Sequence, residues 1–153
     1  MQCGLAVSAI PEFIFMAAQP PLSATAFSRQ APHFDAEEEG NEVLRIMREQ
    51  VRGQVLKIIP PEAHILELNA GTGLDAVFFA SQGYTVTATD IAPGMVDQMR
   101  HKVERYALTG KMNVVQAGFD ELSEKVTGPY DFVFSNMGGL NCFPDLNPVF
   151  RQL

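Results

Sequence analysis

The hydrophobic positions of the chain follow two spacings, and the change from one to the other predicts alternating helices and strands. Apolar residues recur at helical intervals from Leu44 to Ile58 and again from Met95 to Tyr106. Short apolar runs rich in Val, Thr and Phe stand beside them, as in buried strands. Strands are predicted at residues 64–69, 84–90, 113–117 and 130–136, with helices at residues 73–82, 93–110 and 120–126 between them.

This alternation predicts a doubly wound α/β fold. A helix that connects two strands leaves them parallel with a right-handed crossover, so the sheet should carry helices on both faces. Ligands of such sheets bind at the carboxyl ends of the strands. In this chain those ends carry polar or glycine-rich sequence, at residues 67–73, 90, 117–120 and 135–139. A binding crevice is therefore expected at that edge of the sheet.

The N-terminal part is predicted to hold no folded element of its own. Residues 1–26 are interpreted as a flexible extension with a linker around Pro20 and Pro21, and residues 27–153 as the domain. The acidic residues 37–39 are placed at the start of the first predicted helix, where the positive end of the helix dipole favours carboxylates.

At the other end, Asn147 and Pro148 predict the start of a helix that runs to Leu153. A helix after a parallel strand normally leads to a further strand, so we expect the intact protein to extend past Leu153. With the sheet ended after about four strands, Phe132 and Phe134 of the last predicted strand are expected to be poorly covered.

Composition and charge limit the classes of molecule that the protein is expected to bind. Of 153 residues, 46% are hydrophobic and 19% are charged, which is typical of a globular domain. The formal net charge of −7 disfavours nucleic acid and favours a small molecule. The apolar residues 3–18 are interrupted by Pro11 and Glu12 and follow no Lys or Arg, so no membrane span or signal peptide is predicted and a cytoplasmic location is expected. Cys3 and Cys142 show no metal-ligand spacing, and no metal is predicted.

The glycine-rich segment after the first predicted strand carries the candidate chemistry. Residues 71–76, GTGLDA, fit the pattern G-x-G-x-x-[GA], and Asp90 lies near the distance expected of a carboxylate that binds ribose hydroxyls. These features alone fit a nicotinamide or flavin dinucleotide equally well. Glu67 changes the balance, because a carboxylate there would repel a pyrophosphate and attract the ammonium group of a methionine-like ligand. Asn69 tolerates the left-handed backbone of a sharp turn.

At these residues the sequence resembles the class I S-adenosylmethionine-dependent methyltransferases. Residues 67–73, ELNAGTG, resemble the first motif of the family, with Asn69 in place of its first glycine. Residues 90–95, DIAPGM, resemble the acid that ends its second strand and the helix that follows, and residues 130–133, YDFV, resemble the lead into its fourth strand. Residues 31–35, APHFD, resemble an arm that folds over the cofactor in members that act on small molecules.

The resemblance covers residues 27–153 and implies a Rossmann-like fold, S-adenosylmethionine as cofactor and a small-molecule methyl acceptor. By position it implies that Glu67 holds the amino-acid end of the cofactor, Asp90 its ribose and Ile91 one adenine face. Both glycines of the motif would allow close approach, and the further implied cofactor-binding residues are Asn69, Ala70, Gly71, Gly73, Phe119, Asp120 and Ser135. The implied lid and acceptor-side residues are Phe34, His33 and Asn136.

Two alternatives stay open on the residues alone: a dinucleotide binder of the NAD(P)-dependent oxidoreductase type, and a noncatalytic module that binds S-adenosylmethionine. Methyl transfer from a sulfonium needs alignment more than a base. No acid–base pair stands out, so no catalytic base is assigned, and Asn136 is a candidate for orienting the acceptor. The stripe of Arg45, Arg48 and Arg52 is predicted to be a solvated face. The sequence predicts no oligomeric state.

Overall fold

The computed structural model describes residues 21–142 and 145–153. At the centre of the described part lies a parallel four-stranded sheet in the order β3-β2-β1-β4. Its strands are β1 His64–Leu68, β2 Thr85–Asp90, β3 Met112–Gln116 and β4 Phe132–Ser135. Every strand pair is parallel, which confirms the predicted doubly wound plan. The strand order reverses at β1, and such a switch point is where a binding crevice opens.

Helices pack on both faces of the sheet, whereas α1 packs on α4 and α2. The helices are α1 Leu22–Glu39, α2 Glu42–Ile58, α3 Leu74–Ser81, α4 Pro93–Arg105, α5 Leu122–Lys125 and α6 Asn147–Phe150. One buried cluster joins Ile65 of β1 to Phe79 and Met99, and a second joins Leu66 to Leu122. Neighbouring residues of β1 belong to different clusters because successive strand side chains point to opposite faces. No helix among the described residues is long and apolar enough to cross a membrane.

The segment before the sheet differs from its prediction. Its first 20 residues lie outside the described part, but the predicted extension already becomes helical at Leu22, and α1 continues to Glu39. The acidic residues 37–39 therefore end a helix instead of beginning one. The next helix begins after Asn41, whose side chain accepts hydrogen bonds from the backbone N–H groups two and three residues on.

Small residues bring α1 directly against α4. Ala24 and Ala31 are buried in this contact, and the Gly94 N–H donates to the Ser28 hydroxyl at 3.2 Å. A Cβ on Gly94 would lie 2.7 Å from the Ser28 carbonyl oxygen, so the two helices touch where only glycine fits. Since Gly94 opens α4 just after β2, the contact holds α1 beside the carboxyl end of that strand.

The C-terminal helix is shorter than predicted. α6 is a single turn that ends at Phe150, so it does not run to Leu153. Asn147 is its first residue and not its cap, and the Asp145 carboxylate accepts a hydrogen bond from the Asn147 N–H at 3.0 Å. Asp145, one residue before the N-cap Leu146, thus accepts from the first backbone N–H of α6.

The last strand is better covered than predicted. Phe134 is 5% exposed and packs edge-to-face on Phe79 of α3, with ring centroids 5.3 Å apart. Phe132 is partly buried against the same cluster. Among the described residues β4 pairs with β1 alone, and Val133 is left exposed. The expectation of poorly covered phenylalanines is wrong because α3 covers their face of the sheet.

Candidate functional site

A cavity of about 430 Å³ opens at the carboxyl ends of the strands. This volume lies within the range of small-molecule sites, which is roughly 300 to 1,000 Å³. Most of the predicted site residues line it, namely Phe34, Asn69, Gly71, Asp90, Ile91, Phe119, Asp120 and Asn136. Residues that the sequence did not single out complete its wall, among them Phe27, Met95 and Met137. The cavity thus joins the loops after all of the described strands to α1.

The loop between β1 and α3 turns through residues with positive φ, which are Asn69 at 47°, Gly71 at 59° and Gly73 at 81°. The left-handed conformation expected of Asn69 is confirmed. A Cβ on Gly71 would have Phe34 as its nearest neighbour at 4.0 Å, so this glycine is open towards the cavity. A Cβ on Gly73 would lie 2.7 Å from Met99 Cγ. The absence of a side chain at Gly73 therefore allows the loop to pack directly against Met99 of the core. Gly73 does not line the cavity.

Asp90, the last residue of β2, links the loop after β1 to the turn after β2 through its carboxylate. One of its carboxylate oxygens accepts a hydrogen bond from the Gly71 N–H at 2.9 Å, and the other accepts one from the Ala92 N–H at 2.8 Å. Burial raises the pKa of Asp90, and these backbone hydrogen bonds oppose the rise. Because a carboxylate accepts up to about four hydrogen bonds, both oxygens keep capacity for a ligand in the cavity.

Glu67 lies deeper, beside a void of about 40 Å³ that Ala70 also lines. It is 3% exposed, and its Oε2 has no hydrogen-bond partner among the described residues. Burial raises the pKa of Glu67 well above its ordinary value, Asp75 adds to the rise, and Arg48 and Arg52 oppose it. Buried polar atoms without a partner are rare, and each calls for an explanation such as a water or an ion. Glu67 Oε2 can therefore accept a hydrogen bond from a ligand.

Asp75 binds the arginines of α2. Its carboxylate pairs with Arg48 and, at 2.6 Å, with Nε of Arg52, while Arg48 also pairs with Glu38 of α1 at 2.6 Å. The predicted solvated stripe is wrong for Arg48 and Arg52, whose side chains are 11% and 18% exposed, although Arg45 is exposed. The spacing of four residues places Arg48 and Arg52 on the same side of α2, which the sequence does show. Their partner Asp75 could not be predicted, because it lies on another helix.

The two predicted residues at the end of β4 differ in position. Asn136 lines the cavity, its side-chain amide donates to Asp75 at 3.0 Å, and its backbone carbonyl accepts from the Asn69 side chain at 3.1 Å. The Ser135 hydroxyl donates to the Asn69 side chain at 2.6 Å, and Ser135 does not line the cavity. Asn69 therefore ties the loop after β1 to the loop after β4, and Ser135 supports it.

The loop after β3 forms the other end of the cavity. A Cβ on Gly118 would lie 2.8 Å from Asp120 Oδ1 and 3.1 Å from Ile91 Cδ1. The Asp120 carboxylate thus occupies the space that a side chain at position 118 would fill. Phe119 and Ile91 line the cavity at this end and supply apolar surface beside that carboxylate.

A family model described as a methyltransferase domain matches residues 65–153, more than half of the chain. The chain belongs to this family. No curated protein sequence matches it. The match begins within β1 and so includes Glu67, the glycine loop and Asp90, while α1 and α2 lie before it.

Solved structures resemble the methyltransferase domain in fold. A protein from Galdieria sulphuraria assigned as a sarcosine dimethylglycine methyltransferase has a TM-score of 0.63 at 24% identity, over 72% of this chain and 42% of that one. An assigned S-adenosyl-L-methionine-dependent methyltransferase from Methanococcus maripaludis has a TM-score of 0.66 at 14% identity, over 82% and 56%. A glycopeptide N-methyltransferase complexed with sinefungin has a TM-score of 0.56 at 18% identity, over 69% and 42%. The chain spans about half the length of these structures.

Residues of α1, which precedes the matched region, form part of the cavity wall. Phe34 of α1 lines both the cavity and the small void, whereas His33 is exposed and lines neither. Asp35 pairs with Lys102 of α4 at 2.5 Å and accepts a hydrogen bond from the Thr72 hydroxyl at 2.5 Å. Lys102 also donates to the Thr72 carbonyl at 2.9 Å; burial lowers the pKa of Lys102, and Asp35 opposes this. These contacts fasten α1 to the glycine loop.

The described part of the methyltransferase domain holds no group of three His, Cys, Asp or Glu side chains that could bind a metal ion. Cys3 and the side chain of Cys142 lie outside that part.

Proposed function

We propose that the cavity binds S-adenosylmethionine and that the protein transfers its methyl group to a small-molecule acceptor. The observation that carries the proposal is the buried Glu67 carboxylate beside the glycine loop, with one oxygen free to receive a hydrogen bond. The cofactor supplies a methyl group that its sulfonium has already activated. The task of this chain is then to bind, to orient and to exclude water.

The cavity and the small void beside it each suit one part of that cofactor. Glu67 attracts the ammonium group at the amino-acid end, because opposite charges interact strongly where water is excluded. Asp90, already held by two backbone N–H groups, accepts from the ribose hydroxyls. Ile91 and Phe119 provide apolar surface for the adenine, and Asp120, which fills the space beside Gly118, accepts from its amino group.

Asn136 is assigned to orient the methyl acceptor, and α1 is assigned to shield the cavity from solvent. Asn136 is oriented by its hydrogen bond to Asp75 and lines the cavity next to Asn69, so it is placed to align an acceptor. Phe34 shields this region from water, which keeps the reacting groups in a dry site. No base is assigned: a hydroxyl acceptor would need one, and an amine or thiolate acceptor depends on one less.

A dinucleotide suits this site less well. The oxygen of Glu67 without a partner lies next to the loop where a pyrophosphate would sit, and Asp75 shares the same void. Asp75 is already paired with Arg48 and Arg52, so the charge that matters is that of Glu67, whose ionised form opposes a dianionic ligand and pairs with a cation.

Calorimetric titration of the chain tests the proposal. We expect S-adenosylmethionine to bind and NAD to give no signal. Glu67→Ala and Asp90→Ala should each weaken binding by roughly 10- to 150-fold, because each removes a hydrogen bond to a charged group worth about 1.5 to 3 kcal/mol. Glu49→Ala, on an exposed face of α2, is the matched control and should bind normally.

Formation of S-adenosylhomocysteine with a panel of small amines, alcohols and thiols then tests the transfer. Binding of NAD in preference to S-adenosylmethionine would contradict the proposal, as would unchanged affinity in both variants. Binding without turnover of any acceptor would leave a noncatalytic module as the better description.

A further inference from the structure

The charges around Glu67 do not balance when every group is ionised. Asp75, Glu38 and Glu67 supply the carboxylates, and Arg48 and Arg52 supply the guanidinium groups, so the cluster is left with one excess negative charge. Protonation of one carboxyl group makes the cluster neutral. An uncompensated charge in the interior is costly, so the neutral arrangement is favoured.

The hydrogen bonds indicate which carboxyl group takes the proton. Asp75 accepts from both arginines and from Asn136, and Glu38 accepts from Arg48. Glu67 is the carboxyl group with a buried oxygen that has no hydrogen-bond partner among the described residues. Protonation therefore disrupts no ion pair when it occurs at Glu67.

The other groups that face Glu67 agree with this assignment. Burial raises the pKa of Glu67, and the neighbouring carboxylates of Asp75 on α3 and Asp90 on β2 raise it further. Arg48 and Arg52 on α2 oppose the rise, but both arginines are already paired with Asp75. The void of about 40 Å³ beside Glu67 has room for a small group, since a single water needs about 10 to 15 Å³.

We propose that cofactor binding at this site exchanges one cation for another: Glu67 holds a proton in the ligand-free chain and releases it to solvent when the ammonium group of the ligand enters the void. The carboxyl O–H bond breaks, the proton leaves to solvent and the carboxylate pairs with the ammonium. The summed charge of the five side chains counted above and that ammonium is therefore zero before and after binding. This inference rests on the proposed function and adds the protonation state of its site. It makes the ammonium group, and not the sulfonium, the feature that the site selects.

The pH dependence follows from the exchange. Below the pKa of Glu67 in the free chain, affinity should rise about tenfold per pH unit, because each binding event must displace one proton. Above that pKa the affinity should no longer depend on pH. It should fall again above about pH 8, where the α-amino group of the ligand loses its own proton.

The test is calorimetric titration of the full chain at one pH in two buffers whose ionisation enthalpies differ, so that protons released on binding change the measured heat. We expect about one proton to be released per S-adenosylmethionine or S-adenosylhomocysteine bound, at a pH below the pKa of Glu67 in the free chain. 5′-Methylthioadenosine, which lacks the ammonium group, should bind with no release. Glu67→Gln should bind the first two ligands without proton release and without the rise in affinity, and Glu49→Gln should behave as the unsubstituted chain.

An infrared spectrum of the ligand-free chain gives a second readout that needs no ligand. The carbonyl band of a protonated carboxyl group should be present, should be absent in Glu67→Gln, and should disappear when S-adenosylhomocysteine is added. Binding of S-adenosylmethionine without proton release, or equal release in Glu67→Gln, would overturn this inference and leave the proposed function intact. A chain that binds neither cofactor form would overturn both.

Discussion

Replacing Asp75 with asparagine should destabilise the fold more than a change in any exposed ion pair. Its carboxylate balances Arg48 and Arg52, whose side chains are only 11% and 18% exposed, and it accepts a hydrogen bond from Asn136. After the substitution Arg48 keeps Glu38, but Arg52 keeps no carboxylate partner. Removing one partner of a buried ion pair costs about 3 to 5 kcal/mol, and although ionisation of Glu67 can restore the net charge, it does not replace the direct contacts that Asp75 makes with both arginines.

Thermal and urea unfolding measure this loss. For a chain of this size about 1 kcal/mol corresponds to roughly 2 to 4 °C, so the melting temperature should fall by roughly 6 to 20 °C. Glu49→Gln on α2, the helix that carries Arg48 and Arg52, is the control, because Glu49 is 57% exposed and its pair with Arg45 at 2.8 Å is worth less than about 0.5 kcal/mol. Combining Asp75→Asn with Arg52→Gln should recover part of the loss. If Asp75→Asn were as mild as the control, the central place of Asp75 in this cluster would be refuted.

The glycines and the buried acid give further tests. Gly73→Ala should lower the free energy of unfolding by about 2 to 5 kcal/mol, since left-handed strain adds to overpacking, and Gly71→Ala by only about 1 to 2 kcal/mol; equal losses in urea denaturation would contradict the packing role of Gly73. Gly94→Ala should separate α1 from α4, so that hydrogen exchange quickens in α1 and not in β1; unchanged α1 protection would count against this contact. Because the folded-state pKa of Glu67 is raised, the folded chain holds a proton that the unfolded chain loses, and stability relative to Glu67→Gln should decrease as pH rises above about 4.3. A difference that grows in the opposite direction would show that Glu67 is stabilised as the carboxylate.

The sheet was predictable because its signals are local. Each strand is a short apolar run that ends at a turn residue, as β2 does at Asp90, and each predicted strand lies within two residues of the observed one. α1 was not predictable in this way. It has no regular apolar stripe, and its stability comes from small residues such as Ala24 and Ala31 packed against α4, which the sequence does not bring together.

Within the site, too, features set by local sequence were predictable and contacts between distant residues were not. Gly71 and Asp90 line the cavity because the carboxyl ends of parallel strands, where the sequence placed them, meet at one edge of the sheet; that they bind a cofactor stays a prediction. The pairing of Arg48 with Asp75 joins residues 27 positions apart, and only the packing of α2 on α3 decides it. The tie between Asn69 and Ser135, 66 positions apart, is likewise a result of the strand order β1 next to β4.

A crystal structure of the chain with S-adenosylhomocysteine would test the proposed site most directly. We expect the amino group of the ligand in the void within hydrogen-bond distance of Glu67 Oε2, the ribose hydroxyls on Asp90, and the adenine beside Ile91 and Phe119. A ligand bound in the reverse direction, or outside the cavity with Glu67 Oε2 still lacking a partner, would contradict the proposed site.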